Sequence, residues 1–87
     1  MNQDILFDDR QTWDETRQAV SFPALQGGQL ITCWVTRAWL EQYCQRTLAT
    51  EEAVLVAFSE CRFDVEDEAE ALIEDEAFDQ DGDIVIG

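Results

Sequence analysis

Chemistry in this chain would have to come from carboxylates and thiols, because it holds twenty Asp and Glu, three Cys and five Arg, with neither His nor Lys. Asp79, Asp81 and Asp83 alternate around Gly82, superficially like a calcium loop. An EF-hand, however, needs Gly at the sixth loop position and a bidentate Glu at the twelfth. Here Gly82 falls at the fourth position and the sequence stops at the ninth. The expectation is an acidic helix stop and turn, with no metal site. Cys33, Cys44 and Cys61 could ligate zinc with an acid as fourth ligand, but structural zinc sites pair their ligands at spacings of about two to four residues. The separations here are eleven and seventeen. All three fall in phase with apolar faces and read as buried structural thiols. Acid–base catalysis needs one carboxylate tuned by burial or by a partner. Those of the C-terminal half mostly lie off the apolar stripe, so no catalytic, cofactor-binding or metal-binding residue is assigned, and the chain reads as a non-enzyme without a cofactor.

The same composition restricts partners. A net charge of −15 disfavours direct binding to phosphate backbones and to anionic membranes. A basic protein partner is electrostatically allowed. No apolar run approaches the roughly 20 residues needed to span a bilayer, and Met1-Asn2-Gln3-Asp4 is unlike a secretory leader. The odd number of cysteines, without a pairing motif, agrees with a cytoplasmic location. Eighty-seven residues with 46% hydrophobic content and nine aromatics bound the chain to one domain, residues 1–87, with enough apolar area for a core.

The elements that must position these residues predict an α+β fold. Ile5-Leu6-Phe7 reads as a brief strand or arm, and Asp8 to Arg17, around a single Trp13, as a loop. Arg17–Leu25 and Leu30–Thr36 flank Gly27-Gly28, which suits a two-residue primed turn because both glycines tolerate positive φ. With that turn Leu25 faces Leu30, Ala24 faces Ile31, Phe22 faces Cys33 and Val20 faces Val35. One face is then wholly apolar, and a one-residue slip would break the set. Pro23 cannot donate to a ladder, so its strand needs an unpaired side there. Thr36 can cap a short helix from Arg37 to about Thr47. Thr50 followed by Glu51-Glu52 starts a longer one, to about Phe78, with Val54, Phe58, Cys61, Val65, Ala69, Leu72 and Ile73 as its stripe. Residues 83–86 form a return strand, completing a small antiparallel-type sheet packed on helices. At about 1.5 Å per residue the long helix would reach about 42 Å, against a domain diameter of about 31 Å. It must kink, end early or project, and a projecting amphipathic helix would make a homodimer possible.

Two surfaces stand out. The hairpin's second face carries Pro23, Leu25, Leu30 and Trp34, which form either an interaction patch or a surface covered by the N-terminal arm. The long helix carries an acidic face of Glu60, Asp64, Asp67, Glu68, Glu74 and Asp75. Like charges at i,i+4, such as Glu60/Asp64 and Glu70/Glu74, each oppose the helix by about 0.2–0.5 kcal/mol. Added salt is therefore expected to raise the melting temperature. Arg62, among these acids, reads as an internal neutraliser.

These segments together resemble a family of short bacterial proteins, domain of unknown function 1488. The matching residues are Met1-Asn2-Gln3, Ile5, Phe7, Trp13-Asp14-Glu15, Val20, Phe22-Pro23-Ala24, Gly28, Leu30, Cys33 and Leu40. Phe58, Arg62, Asp64, Glu66, Glu68-Ala69-Glu70 and Leu72-Ile73 continue them, so that nearly the whole chain is covered. The resemblance implies the same hairpin, helices and return strand, and brings no activity or functional residues. The expected role is a cytosolic interaction or accessory protein, or alternatively an acidic nucleic-acid mimic occupying a basic protein.

Overall fold

The computed structural model describes residues 5–87, so the Met1-Asn2-Gln3-Asp4 segment and what was read from it lie outside the described residues. The strands are β1 (Ile5–Phe7), β2 (Thr12–Asp14), β3 (Ala19–Gln26), β4 (Gln29–Thr36) and β5 (Ile84–Ile86). The helices are α1 (Arg37–Cys44), α2 (Glu51–Glu60) and α3 (Arg62–Glu74). The fold is α+β, a mixed five-stranded sheet with three helices.

The hairpin forms in the expected register, with Leu25 opposite Leu30 and Phe22 opposite Cys33. Gly27 and Gly28 take φ of 58° and 82°, the primed geometry that matches strand twist. β1 and β2 both pair antiparallel with the remaining edge of β3, β1 along Ala24–Gln26 and β2 along Ala19–Ser21. Phe22 and Pro23 fall in the gap between them. In a hairpin closed by two residues, alternate positions direct their backbone away from the partner strand, and Pro23 is one of those. The missing N–H thus sits where no ladder needs it.

Three expectations are corrected. Asp8–Arg17 is not wholly a loop, because Thr12–Asp14 makes a three-residue strand. β5 runs parallel to β4, with Cys33 opposite Ile84 and Val35 opposite Ile86, so the sheet is antiparallel except at this edge. The long helix both kinks and ends early, two of the outcomes its length required, and is two helices. It breaks at Cys61 (φ −112°, ψ 27°), whose thiol donates to the Ala57 carbonyl at 3.1 Å. It then ends at Glu74 rather than Phe78, through a Schellman closure. Glu76, at φ 57°, and Ala77 donate their N–H groups to the carbonyls of Ile73 and Leu72. A straight rod would overrun the sheet, and the break lets both halves pack on it. The argument for a homodimer from a projecting helix falls with this. α1 likewise stops at Cys44, three residues short of Thr47, because Gln45 turns left-handed at φ 60°.

The core lies between the sheet and the helices. Val20, Phe22, Ala24, Ile31, Cys33, Val35, Ile84 and Ile86 point from the sheet into it. Leu40, Leu48, Val54, Phe58, Val65, Ala69 and Ile73 meet them from the helical side. Phe22 packs between Phe7 and Phe58, with ring centroids at 6.2 and 5.4 Å. The Thr36 and Thr50 hydroxyls cap α1 and α2 by accepting from the N–H groups of Trp39 and Ala53 at 3.0 Å. Between the two helices the Glu41 carboxylate accepts the Leu48 N–H at 3.0 Å, holding that connection against the core.

Arg62 ties the layers together. Its guanidinium donates to Glu66 (3.0 Å), to the Gln11 side chain (2.8 Å) and to the Asp8 carbonyl, and lies 5.2 Å from the Phe58 ring. It is therefore an internal neutraliser, as its sequence setting suggests, and also a clip between α3 and the β1–β2 connection.

Candidate functional site

Side chains alternate across a strand, so the β3–β4 positions that miss the core all emerge on the other side of the sheet. The described helices pack on the core side, and the N-terminal arm joins the sheet beside β3 instead of lying over that second face. Among the described residues the face is therefore open. Its most apolar part is a row across three strands, Leu6 opposite Leu25 opposite Leu30. Leu6 is 62% exposed and Leu30 67%, while Leu25 and Pro23 are half-buried between their neighbours. Two shallow hollows of about 350 and 230 Å³ adjoin this row. Both are lined in part by Pro23, Leu30 and Arg10, next to the gap between β1 and β2.

Trp34 shares the face but not the row. It lies four residues along β4 from Leu30, about 13 Å at strand spacing, and pairs with Ser21 and Val85. Its indole N–H donates to Asp83 at 3.0 Å, and the Arg17 guanidinium stacks 4.1 Å above the ring. The structure thus joins Pro23, Leu25 and Leu30, holds Trp34 in a separate polar clamp, and adds Leu6. The signal for Leu6 is in the sequence: in Ile5-Leu6-Phe7, pairing Phe7 inward forces Leu6 outward.

All six residues of the acidic face are exposed, but they are not alike. Glu60 is ion-paired with Arg46 at 3.0 Å. Asp64 accepts the Tyr43 hydroxyl at 2.5 Å, which with partial burial pushes that phenol up to about 12. Asp67, Glu68, Glu74 and Asp75 form no ion pair among the described residues.

The Asp79–Asp83 cluster and two of the three thiols are engaged in the fold, while Cys44 is half-buried rather than buried as expected. The carboxylates of Asp79, Asp81 and Asp83 come within 4.8 Å of one another, yet one Asp79 oxygen accepts the N–H groups of Asp81 and Asp83 at 2.9 Å. With Asp83 also bound to Trp34, the cluster builds the turn into β5. Burial pushes the Cys33 thiol up to about 12, with the charge of Asp83 adding to it. The Cys61 thiol is raised by burial and then by neighbouring Cys44. Thiols held protonated in this way are poor nucleophiles and ligands. Among the described residues no carboxylate is buried, and no helix is long and apolar enough to cross a membrane.

The sequence matches the family described as "Protein of unknown function (DUF1488)" over residues 5–86. The uncharacterised protein YrdB of Escherichia coli K12 is 42% identical over 82 residues, covering 94% of each chain. YrdB of Shigella flexneri is 40% identical over the same length and coverage. A crystal structure of a DUF1488 protein of unknown function from Shewanella loihica PV-4 superposes with a TM-score of 0.93 at 41% identity. That superposition covers 99% of this chain and 94% of the other. The likeness extends through the hairpin, the broken helix and the return strand, and the chain belongs to the DUF1488 family.

Proposed function

We propose that the chain is a non-enzymatic, cytosolic protein-interaction or accessory protein whose partner docks on the open face of the sheet. The observation that carries this reading is the Leu6–Leu25–Leu30 row beside Pro23, on the side the helices do not cover. Contiguous exposed apolar surface of this kind generally marks an interface. The row lies on the opposite side of the sheet from α3, so its partner is held by apolar contact and shape rather than by the acids of that helix.

The test is affinity capture from a bacterial lysate with the wild-type chain and with Leu30→Asp as baits. It is repeated in about 1 M salt, where the Debye length shrinks to about 3 Å. The expected result is a protein retained by wild type in high salt and lost from Leu30→Asp. Retention by both baits, or by neither, overturns the reading. The exposed, unpaired Asp67, Glu68, Glu74 and Asp75 favour a second reading, an acidic mimic of nucleic acid. Its signature is a basic protein that ignores Leu30→Asp and washes off in salt.

A further inference from the structure

α2 spends Val54, Ala57 and Phe58 on the core, which should leave its outer side polar. Val56 departs from that rule and is 47% exposed. With half-buried Leu55 it lines a wide, shallow groove of about 640 Å³. Glu51, Glu52 and Glu60 line it too; Glu60 is paired with Arg46 at 3.0 Å, whereas Glu51 and Glu52 form no ion pair among the described residues. Ser59 and Gln11 line it as well. Gln11 spends its side-chain oxygen on Arg62, leaving its NH₂ group free to donate. The groove therefore combines two apolar side chains, two negative charges without an ion-pair partner among the described residues, one already paired with Arg46, and neutral hydrogen-bonding groups.

Charge complementarity selects the occupant. An anionic or purely apolar ligand would leave Glu51 and Glu52 facing it unpaired, and a bare polycation would leave Leu55 and Val56 uncovered. We propose that the α2 groove binds a short peptide segment of a partner protein, with a bulky apolar side chain on Leu55 and Val56 and an Arg or Lys against Glu51 and Glu52. The groove adjoins the open sheet face, since Gln11 also lines the hollow beside Pro23 and Leu30, but its apolar and acidic residues, Leu55, Val56, Glu51 and Glu52, belong to α2 alone.

The experiment is a titration of the ¹⁵N-labelled full chain with the peptide N-acetyl-Leu-Arg-Leu-Arg-amide, followed by amide chemical shifts. Saturable shifts are expected at Leu55, Val56 and Ser59. Glu51→Gln with Glu52→Gln should weaken binding about five- to tenfold, the middle of the span for two exposed charge pairs. The charge-matched pair Glu74→Gln with Asp75→Asn should weaken it by less than about twofold. All four positions are exposed, so the variants keep the fold, and the amide spectrum itself reports it. Shifts centred on residues 67–75 or on the sheet face would overturn the proposal. So would equal losses in the two double variants, equal binding of spermidine at the same amides, or no saturable shift.

Discussion

Phe22 and Pro23 are consecutive residues of one strand with opposite surroundings. Phe22 is 2% exposed between two aromatic rings, while Pro23 opens onto the bare side of the sheet beside Leu30. The same alternation divides all of β3 and β4, so one side of the sheet carries the stability and the other is free to carry recognition. A protein built this way can change its open face without rebuilding its core, because each substitution touches only one side.

The contrast can be tested on both sides. Phe58→Ala, a deletion inside the aromatic stack, should cost about 3–5 kcal/mol in urea unfolding. A cost near 1 kcal/mol would mean that the core side is loosely packed. Arg62→Ala removes the clip between α3 and the β1–β2 connection and should cost about 2 kcal/mol, as for buried charge-assisted hydrogen bonds. It should also raise amide exchange in β1 and β2, which separates the clip from a merely local loss.

Glu41 is held below its usual 4.5, first by the Leu48 N–H and then by Arg37. Its contribution is therefore complete above that value and fades as pH falls beneath it. Glu41→Gln should flatten the acid side of the stability profile, and an unchanged slope would remove Glu41 as the tie. Added salt should still raise the melting temperature, but modestly. The helix break separates Glu60 from Asp64, and both have partners in Arg46 and Tyr43. Leu30→Ser on the open side should change stability by less than about 0.5 kcal/mol while abolishing capture of the partner. A large destabilisation would show that the two sides are not independent.

What could be read from the sequence follows from period and turn chemistry. The hairpin register was legible because a strict alternation met a Gly-Gly turn, leaving a single pairing that buries one face. β2 was not, because Thr12-Trp13-Asp14 is short, polar and strand-forming only through β3. The break at Cys61 was hidden because that residue stays in phase with the apolar stripe and neither Gly nor Pro marks it. The helix end was missed because Glu76, not a glycine, takes the left-handed position. Of the expected patch, Pro23, Leu25 and Leu30 lie together because their pairing follows from the hairpin alone, whereas Trp34 shares the face but stands apart from them. Leu6 needed the pairing of β1, and the clamp on Trp34 needed Arg17 and Asp83, distant in sequence. The Val56 groove carried no periodic signal, because a single valine out of phase looks like noise until the helix is seen.

The parallel edge has a consequence for how the chain assembles. β3 and β4 close over two residues, whereas β4 and β5 join positions as far apart as Cys33 and Ile84. Loop-closure entropy rises with the length enclosed, so the hairpin can form from its own local contacts. On closure cost alone, the pairing around the Gly27-Gly28 turn is the easiest in the sheet to form, and the β4–β5 edge, which seals Cys33 into the core, encloses far more chain.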